Sequence, residues 1–211
     1  MSVIHLKTST RTAGTGQTDV RAGVEAMLAE LASGGDAAAT RFARDLDGWQ
    51  GDIVVSDAAR AAAAASVPEK LKGDIRFAHR NIRRFAEAQR ATITECNIEI
   101  LPGLMAGQKH IPVSSAGCYV PGGRYSHIAS AVMTIPTAKV AGVPHIAACS
   151  PPRPGIGIPP AIIFAMDLCG ADVILNLGGV QGVAAMANGM FGLPRADILV
   201  GPGNQYVAEA K

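Results

Sequence analysis

The fold of this chain can be read outward from Gly117-Cys118-Tyr119-Val120-Pro121-Gly122-Gly123-Arg124. This stretch begins as a short apolar strand and ends in a Pro-Gly-Gly turn, and residues 128–133 after it have a helical pattern. A strand, a tight glycine turn and a helix in this order can present backbone N–H groups and a helix N-terminus to an anionic ligand. One such turn is weak evidence, but variants of the unit recur as far as Gly201-Pro202-Gly203-Asn204.

The repetition of this unit predicts the fold class. Short apolar strands are predicted to begin near residues 116, 146, 172 and 197, each followed by a turn rich in glycine or proline and then by a helix. Strands that alternate with helices form a parallel sheet with right-handed crossovers. The sequence therefore predicts an α/β fold, with a Rossmann-like parallel sheet and glycine-rich βα loops over residues 113–211.

Residues 1–112 have a different sequence pattern and are predicted to form an N-terminal helical region with short strands. A helix that begins near residue 18 is expected to stop at Gly34-Gly35, and a second helix is expected to end near residue 48. Further on, the extended segments 92–101 and 108–113 lie on either side of Pro102-Gly103 and predict a β-hairpin or two short strands.

A long helix is predicted after Ser66, because Ser66-Val67-Pro68-Glu69 has the form of a capping box. The apolar stripe of this helix is expected to comprise Leu71, Ile75, Ala78, Ile82 and Phe85. Its other face is rich in arginine, which could hold phosphates but is more typical of a solvated or subunit-facing surface. No interleaved aromatic residues support nucleic-acid binding.

Composition narrows the class of protein further. Apolar residues make up 48% and aromatic residues 4% of the 211 residues, which favours closely packed α/β layers over an aromatic-rich β-sandwich. The net charge of +2 is too small to predict nucleic acid or an acidic membrane surface as a partner. The four cysteines form no CxxC pair, and no signal peptide or membrane-length apolar run is present. A cytoplasmic protein is therefore expected.

The predicted functional edge lies at the carboxyl ends of the strands, where open parallel sheets bind their ligands. The loops expected there are 119–123, 150–152, 178–181 and 201–204. Tyr119 could stack on a flat ring, and Gln181 and Asn204 supply amide groups near helix starts. Each glycine loop alone is explained by a tight βα turn, but three on one edge favour a ligand of nucleotide size.

The usual dinucleotide and metal signatures are missing. No GxGxxG follows the first strand of the series, and Cys149-Ser150-Pro151-Pro152 ends the second without an acid for a ribose hydroxyl. The sequence has no HxxxH, HExxH or Cys/His cluster. His127 follows the Pro-Gly-Gly turn closely, so it either binds a substrate anion or serves only at a helix cap. Cys118 and Cys149 have no visible basic partner, and packing explains them better.

The sequence resembles the histidinol dehydrogenase family, closely over residues 113–211 and loosely before them. The motifs that carry the resemblance are 117–123 (GCYVPGG), 136–142 (PTAKVAG), 149–152 (CSPP), 168–170 (LCG), 177–181 (LGGVQ) and 201–211 (GPGNQYVAEAK). The family implies a zinc-dependent enzyme that oxidises a primary alcohol through an aldehyde to a carboxylate with two NAD⁺ in turn. It also implies NAD contacts at Tyr119, Gln181 and Asn204, and an intertwined homodimer.

The same resemblance implies that part of the catalytic site lies elsewhere. The family's zinc ligands and its Glu/His acid–base pair fall downstream of the GPGN motif, so neither catalytic nor metal-binding residues are expected in this chain. Lys211 ends the sequence within a predicted helix that has no glycine stop. We therefore expect the N-terminal part of a longer protein, with an incomplete set of domains.

One segment departs from the histidine-biosynthesis members of the family. Residues 124–132 look more like paralogues that act on small anionic diols, such as the sulfopropanediol dehydrogenases, and Arg124 and His127 would then receive a sulfonate or carboxylate. The expected substrate is 2,3-dihydroxypropane-1-sulfonate or L-histidinol. A non-catalytic nucleotide-binding module is the alternative, and nucleic-acid binding through helix 69–90 is the least favoured interpretation.

Overall fold

The computed structural model describes residues 17–122 and 127–211. The N-terminal part contains α1 (Gln17–Asp47), α2 (Asp57–Ser66) and α3 (Glu69–Ala91), then a hairpin of β1 (Cys96–Leu101) and β2 (Leu104–Gln108). The alternating part comprises β3 (Ser115–Tyr119), α4 (Ile128–Val140), β4 (His145–Ser150), α5 (Pro160–Cys169), β5 (Val173–Asn176), α6 (Gly179–Asn188), a 3₁₀ turn (Met190–Gly192), β6 (Ile198–Val200) and α7 (Gln205–Ala210).

The alternating part forms a parallel sheet in the order β5-β4-β3-β6. Tyr119 lies opposite Cys149 in this register, and Cys118 lies opposite Val200. Each strand begins within one residue of its predicted start. The predicted α/β fold with a Rossmann-like parallel sheet is therefore confirmed.

Alternation along the strands divides the core between the two faces of the sheet. Cys118 and Val120 of the β3 segment join one buried cluster with residues of α4 and α5, whereas Tyr119 joins another with residues of α1, α6 and α7. Residues 53–55 add to the free edge of β5, where Val55 N–H donates to Ile174 O over 2.9 Å. The N-terminal region thus packs on both faces of the sheet, and its separation as a domain at residue 112 stays a prediction.

The helix stop at Gly34-Gly35 is confirmed, because Gly35 has φ 53° and ψ −139° and interrupts the helical backbone of α1. The predicted capping box is wrong. Pro68 precedes α3 without a side-chain cap, and the Ser66 hydroxyl instead donates to Ala63 O at the end of α2. The Val67-Pro68 connection between the two helices leaves Ser66 in the earlier helix.

The buried side of α3 and the second hairpin strand also differ from prediction. Phe85 is 62% exposed, and Ala86 is the buried residue near the end of α3. These residues lie on opposite flanks of the apolar stripe, and tertiary packing, which helical periodicity does not encode, covers the alanine flank. The second hairpin strand is Leu104–Gln108 and not 108–113, because the Pro102-Gly103 turn brings Leu104 directly opposite Leu101.

Candidate functional site

A cleft lies at the carboxyl edge of the parallel sheet. It is lined by Tyr119, Pro121, Gly122, His127, Pro151, Pro202, Gly203 and Asn204, and its volume is about 520 Å³. Small-molecule sites have volumes of about 300–1,000 Å³. A cavity of similar size, about 550 Å³, lies on the β1–β2 hairpin, but it is lined by residues 95–97 and 107–109, away from the strand ends. The cleft at the sheet edge is therefore the candidate site.

The cleft brings together Tyr119, Pro151 and Asn204 from three of the predicted loops. His127, which follows the first of these loops, also lines it. Gln181 is buried and does not line the cleft, and Arg124 falls outside the described residues. The parallel topology explains this convergence, because successive strands all end at the same edge.

Tyr119 forms part of the cleft wall, although only 4% of its surface is exposed. Its hydroxyl accepts a hydrogen bond of 3.1 Å from Gly179 N–H. The ammonium of Lys211 lies 6.0 Å from the centre of the phenol ring and donates to Gly201 O. Burial raises the pKa of the Tyr119 phenol above its usual range, so the hydroxyl stays protonated at neutral pH. The ring is thus a neutral, firmly held surface.

Gln181 is 1% exposed and lies in the first turn of α6. Its Nε2 donates to Asp47 Oδ2 over 2.9 Å, and the same carboxylate oxygen accepts from Gly178 N–H over 3.3 Å. Oε1 of Gln181 is buried and has no hydrogen-bond partner among the described residues. Gln181 is therefore held from one side by Asp47 and left unsatisfied on the other.

Asp47 is the residue of this region that the sequence did not reveal. It ends α1, more than a hundred residues before Gln181 in the chain. The one local signal is that a carboxylate at a helix C-terminus opposes the helix dipole, which suggests that it has a partner elsewhere. Burial raises the pKa of Asp47, while the hydrogen bonds from Gln181 and Gly178 lower it; burial has the larger effect.

Asn204 caps α7. Its Oδ1 accepts hydrogen bonds of 3.1 Å from both Tyr206 N–H and Val207 N–H. This is the bonding of an N-cap residue, so the side-chain oxygen is already used by the helix. The other end of the amide is the group that Asn204 can offer to the cleft.

His127 lies immediately before α4, is exposed, and lines the cleft. Its side chain makes no capping hydrogen bond, although its carbonyl accepts from Ser130 N–H over 3.0 Å. His127 therefore lines the cleft without acting as a side-chain cap, and its binding of a substrate anion stays a prediction.

The glycines of the loops have structural roles. A Cβ on Gly122 would lie 2.9 Å from Pro151 Cβ, and one on Gly178 would lie 2.7 Å from the same atom. The N–H groups of Gly178 and Gly179 are already bonded to Asp47 and Tyr119. These amides are not available to a phosphate, so the Gly178-Gly179 loop shapes the cleft edge and does not bind an anion.

The buried cysteines fit packing roles. Cys118, Cys149 and Cys169 are buried, and Cys96 is exposed. Burial raises the pKa of the Cys118 thiol to about 11 and that of Cys169 to about 12. Thiols with such pKa values are protonated and unreactive at neutral pH.

No group of three or more metal-ligating side chains lies together in residues 17–122 and 127–211, so the described residues do not fit a zinc ion by themselves. Within the same residues, no helix is long and apolar enough to cross a bilayer. The cleft does fit part of a nucleotide, because it combines a flat ring, an amide and a histidine in a volume of suitable size.

Known proteins resemble the chain over nearly its whole length. The sequence model of the family described as histidinol dehydrogenase matches residues 10–211. The sulfopropanediol 3-dehydrogenase of Ruegeria pomeroyi is 59% identical over the whole chain, which covers 48% of that protein. The histidinol dehydrogenase of Methanosarcina mazei is 39% identical over 94% of the chain, which covers 46% of that protein.

The fold has a counterpart among solved structures. The crystal structure of histidinol dehydrogenase from Elizabethkingia anophelis aligns with a TM-score of 0.87 and 30% identity, over 96% of this chain and 46% of that one. The chain thus spans about half the length of the relatives it matches. The motif series, the sheet and these matches together show that the chain belongs to the histidinol dehydrogenase family.

Proposed function

We propose that this chain provides the NAD-binding part of a zinc-dependent alcohol dehydrogenase. The observation that carries the proposal is the cleft at the carboxyl edge of the sheet, where Tyr119 and Asn204 form walls and His127 lies at the mouth. NAD⁺, when bound, would accept hydride from the alcohol carbon, first to the aldehyde and then to the carboxylate. The neutral ring of Tyr119 provides a rigid apolar surface for the cofactor, and Asn204 offers it an amide.

The metal, the subunit arrangement and the cellular compartment belong to the same proposal. Zinc would be held by residues other than those described here, since these form no cluster of ligands. The active form would be a cytoplasmic homodimer, and the chain would have no nucleic-acid or membrane partner. Its mild net charge of +2 supports the last point.

The substrate is a small polar alcohol, and the anionic diol 2,3-dihydroxypropane-1-sulfonate is favoured over L-histidinol. The name and the 59% identity of the Ruegeria relative support this choice, against 39% for the Methanosarcina protein. In this proposal His127, at the mouth of the cleft, donates a hydrogen bond to the sulfonate. Arg124 would contribute a second donor, an assignment that rests on the sequence alone.

The test uses two chimeras, in which this chain replaces the matching part of the Ruegeria dehydrogenase or of the Methanosarcina dehydrogenase. NADH formation is then measured with both alcohols, before and after zinc removal by a chelator. Zinc-dependent turnover of the sulfonate diol is expected in the Ruegeria chimera. His127→Ala should raise its KM about tenfold, the effect of one lost charge-assisted hydrogen bond, whereas replacement of the exposed His110, which follows β2, by Ala should not.

Two outcomes would overturn parts of this proposal. Turnover of L-histidinol only, in both chimeras, would exclude the sulfonate as substrate. No NADH from either chimera, combined with NAD⁺ binding by the isolated chain, would favour the non-catalytic nucleotide-binding module.

A further inference from the structure

Asp47 contacts the candidate site from outside the cleft. It lies at the end of α1, and its Oδ2 accepts hydrogen bonds from both Gln181 Nε2 and Gly178 N–H, over 2.9 and 3.3 Å. Asp47 does not line the cleft and belongs to none of the glycine-rich motifs. Its contacts therefore act on the site through α6.

The carboxylate determines which end of the Gln181 amide points toward it. An ionised carboxylate can only accept hydrogen bonds, so the NH₂ group of the amide must face Asp47. Oε1 is consequently turned to the opposite side, where it is buried without a partner among the described residues. A buried carbonyl oxygen without a partner is unfavourable, and in native proteins such an atom calls for an explanation.

The space beside this oxygen is open because residue 179 is glycine. A Cβ on Gly179 would lie 3.1 Å from Oε1, and the φ of 51° at this residue also disfavours any side chain. The N–H of Gly179 is in turn bonded to the Tyr119 hydroxyl. Oε1 thus lies next to the loop that is hydrogen-bonded to the cleft wall.

We propose that Asp47 is a positioning residue of the nucleotide site, which holds the Gln181 amide so that Oε1 accepts a hydrogen bond from an N–H or O–H group of the ligand. This inference rests on the proposed NAD site. Three kinds of group on NAD⁺ offer such a donor, namely the nicotinamide carboxamide, the ribose hydroxyls and the adenine amino group. Asp47 itself touches none of them.

The experiment compares the affinity of the 211-residue chain for NAD⁺ and for analogues that lack one donor each. In the acetylpyridine analogue a methyl ketone replaces the carboxamide, the deoxyribose analogues lack one ribose hydroxyl each, and in the hypoxanthine analogue a carbonyl replaces the adenine amino group. Calorimetric titration should give about tenfold weaker binding for the analogue without the recognised donor, because one hydrogen bond to a buried acceptor is lost. The analogue that shows this loss identifies the donor.

Variants then separate positioning from general structural support. Asp47→Ala should abolish the discrimination between NAD⁺ and that analogue, because the amide is free to turn. Asp47→Asn should keep it, since the Asn oxygen can still accept from both donors. Asp45→Ala, on the exposed face of the same helix, serves as the matched control and should also keep it. A merely structural role would weaken the binding of both ligands equally and leave their ratio unchanged.

A further variant covers the case in which Asp47→Ala does not fold. Gln181→Met has nearly the same shape without the amide and leaves the Asp47–Gly178 hydrogen bond in place, so it must lose the discrimination. Retained discrimination in Asp47→Ala or in Gln181→Met would overturn the inference, as would the absence of any discrimination in the wild-type chain. If the wild-type chain binds no NAD⁺ at all, the proposed NAD site itself fails, and this inference fails with it.

Discussion

The hydroxyl of Tyr119, at the end of β3, accepts a hydrogen bond of 3.1 Å from the backbone N–H of Gly179, the first residue of α6. Since α6 follows β5, and β4 lies between β3 and β5 in the sheet, this bond passes over the end of β4. It connects two loops of the candidate site that are sixty residues apart in the chain. This bond therefore helps to fix the shape of the cleft wall.

Replacing Tyr119 by Phe should lower the free energy of unfolding by about 1 kcal/mol, because the N–H of Gly179 loses its acceptor while the ring is kept. Urea denaturation measures this change. Tyr206→Phe is the control, because Tyr206 is 45% exposed. Equal losses in the two variants would contradict the importance of the Tyr119 bond.

The variant Asp47→Asn should be more stable than the wild type at neutral pH. Burial is the main cause that raises the pKa of Asp47, so the folded state binds the proton more readily than the unfolded state. Wild-type stability should accordingly fall as the pH rises from the ordinary aspartate pKa through the raised one, and the variant should lack this loss. Thermal unfolding across this pH range measures the difference.

Asp45→Asn, on the exposed side of the same helix turn, is the control for the pH experiment. Its melting temperature should follow that of the wild type in the acidic range. If Asp47→Asn is less stable than the wild type at neutral pH, the charge of Asp47 stabilises the fold, and burial is not the dominant effect.

Gly201→Ala should destabilise the protein severely. Gly201 has φ 121°, and an added Cβ would collide with the carbonyl oxygen of Tyr119. Gly103→Ala is a matched control with φ 81° and no atom within 4 Å of the added Cβ, so it should show only the backbone strain of about 1–3 kcal/mol. Urea denaturation of both variants separates the collision from the strain, and similar losses would refute the close approach of the two loops.

Asn204→Ala should lower the free energy of unfolding by about 1 kcal/mol, the usual effect of a lost N-cap. Asn204→Asp keeps an acceptor for Tyr206 and Val207 and should restore stability. The added negative charge should nevertheless weaken NAD⁺ binding, which calorimetry can measure against the wild type. Low stability in both variants would show that the capping oxygen is not what stabilises α7.

Alkylation of thiols should distinguish Cys96 from the other cysteines. Native protein at neutral pH should be modified at the exposed Cys96, whereas buried Cys118, with its pKa raised to about 11, should react only after unfolding. Peptide mass spectrometry after a short exposure to iodoacetamide reads out each site. Fast modification of Cys118 in the native state would mean that the sheet edge opens.

Much of this architecture follows from local sequence. The four short apolar strands, their glycine or proline turns and the helices between them predict a parallel sheet, because strand and helix periods and turn chemistry are encoded within a few residues. The same order places Tyr119, His127 and Asn204 at one edge, since parallel strands end together. The stop at Gly34-Gly35 is predicted for the same kind of local reason.

Contacts between distant segments were decided only by the tertiary structure. No local pattern reveals that Asp47 holds Gln181, that Phe85 is exposed in place of Ala86, or that the N–H groups of Gly178 and Gly179 are already bonded. Side-chain hydrogen bonds and burial depend on which elements pack together, and α1 reaches α6 only in the folded chain. The sequence by itself thus determined the sheet and the edge that carries the site. The packing of α1 decided that Asp47 accepts the hydrogen bond of Gly178 N–H. It also decided which end of the Gln181 amide remains for a ligand.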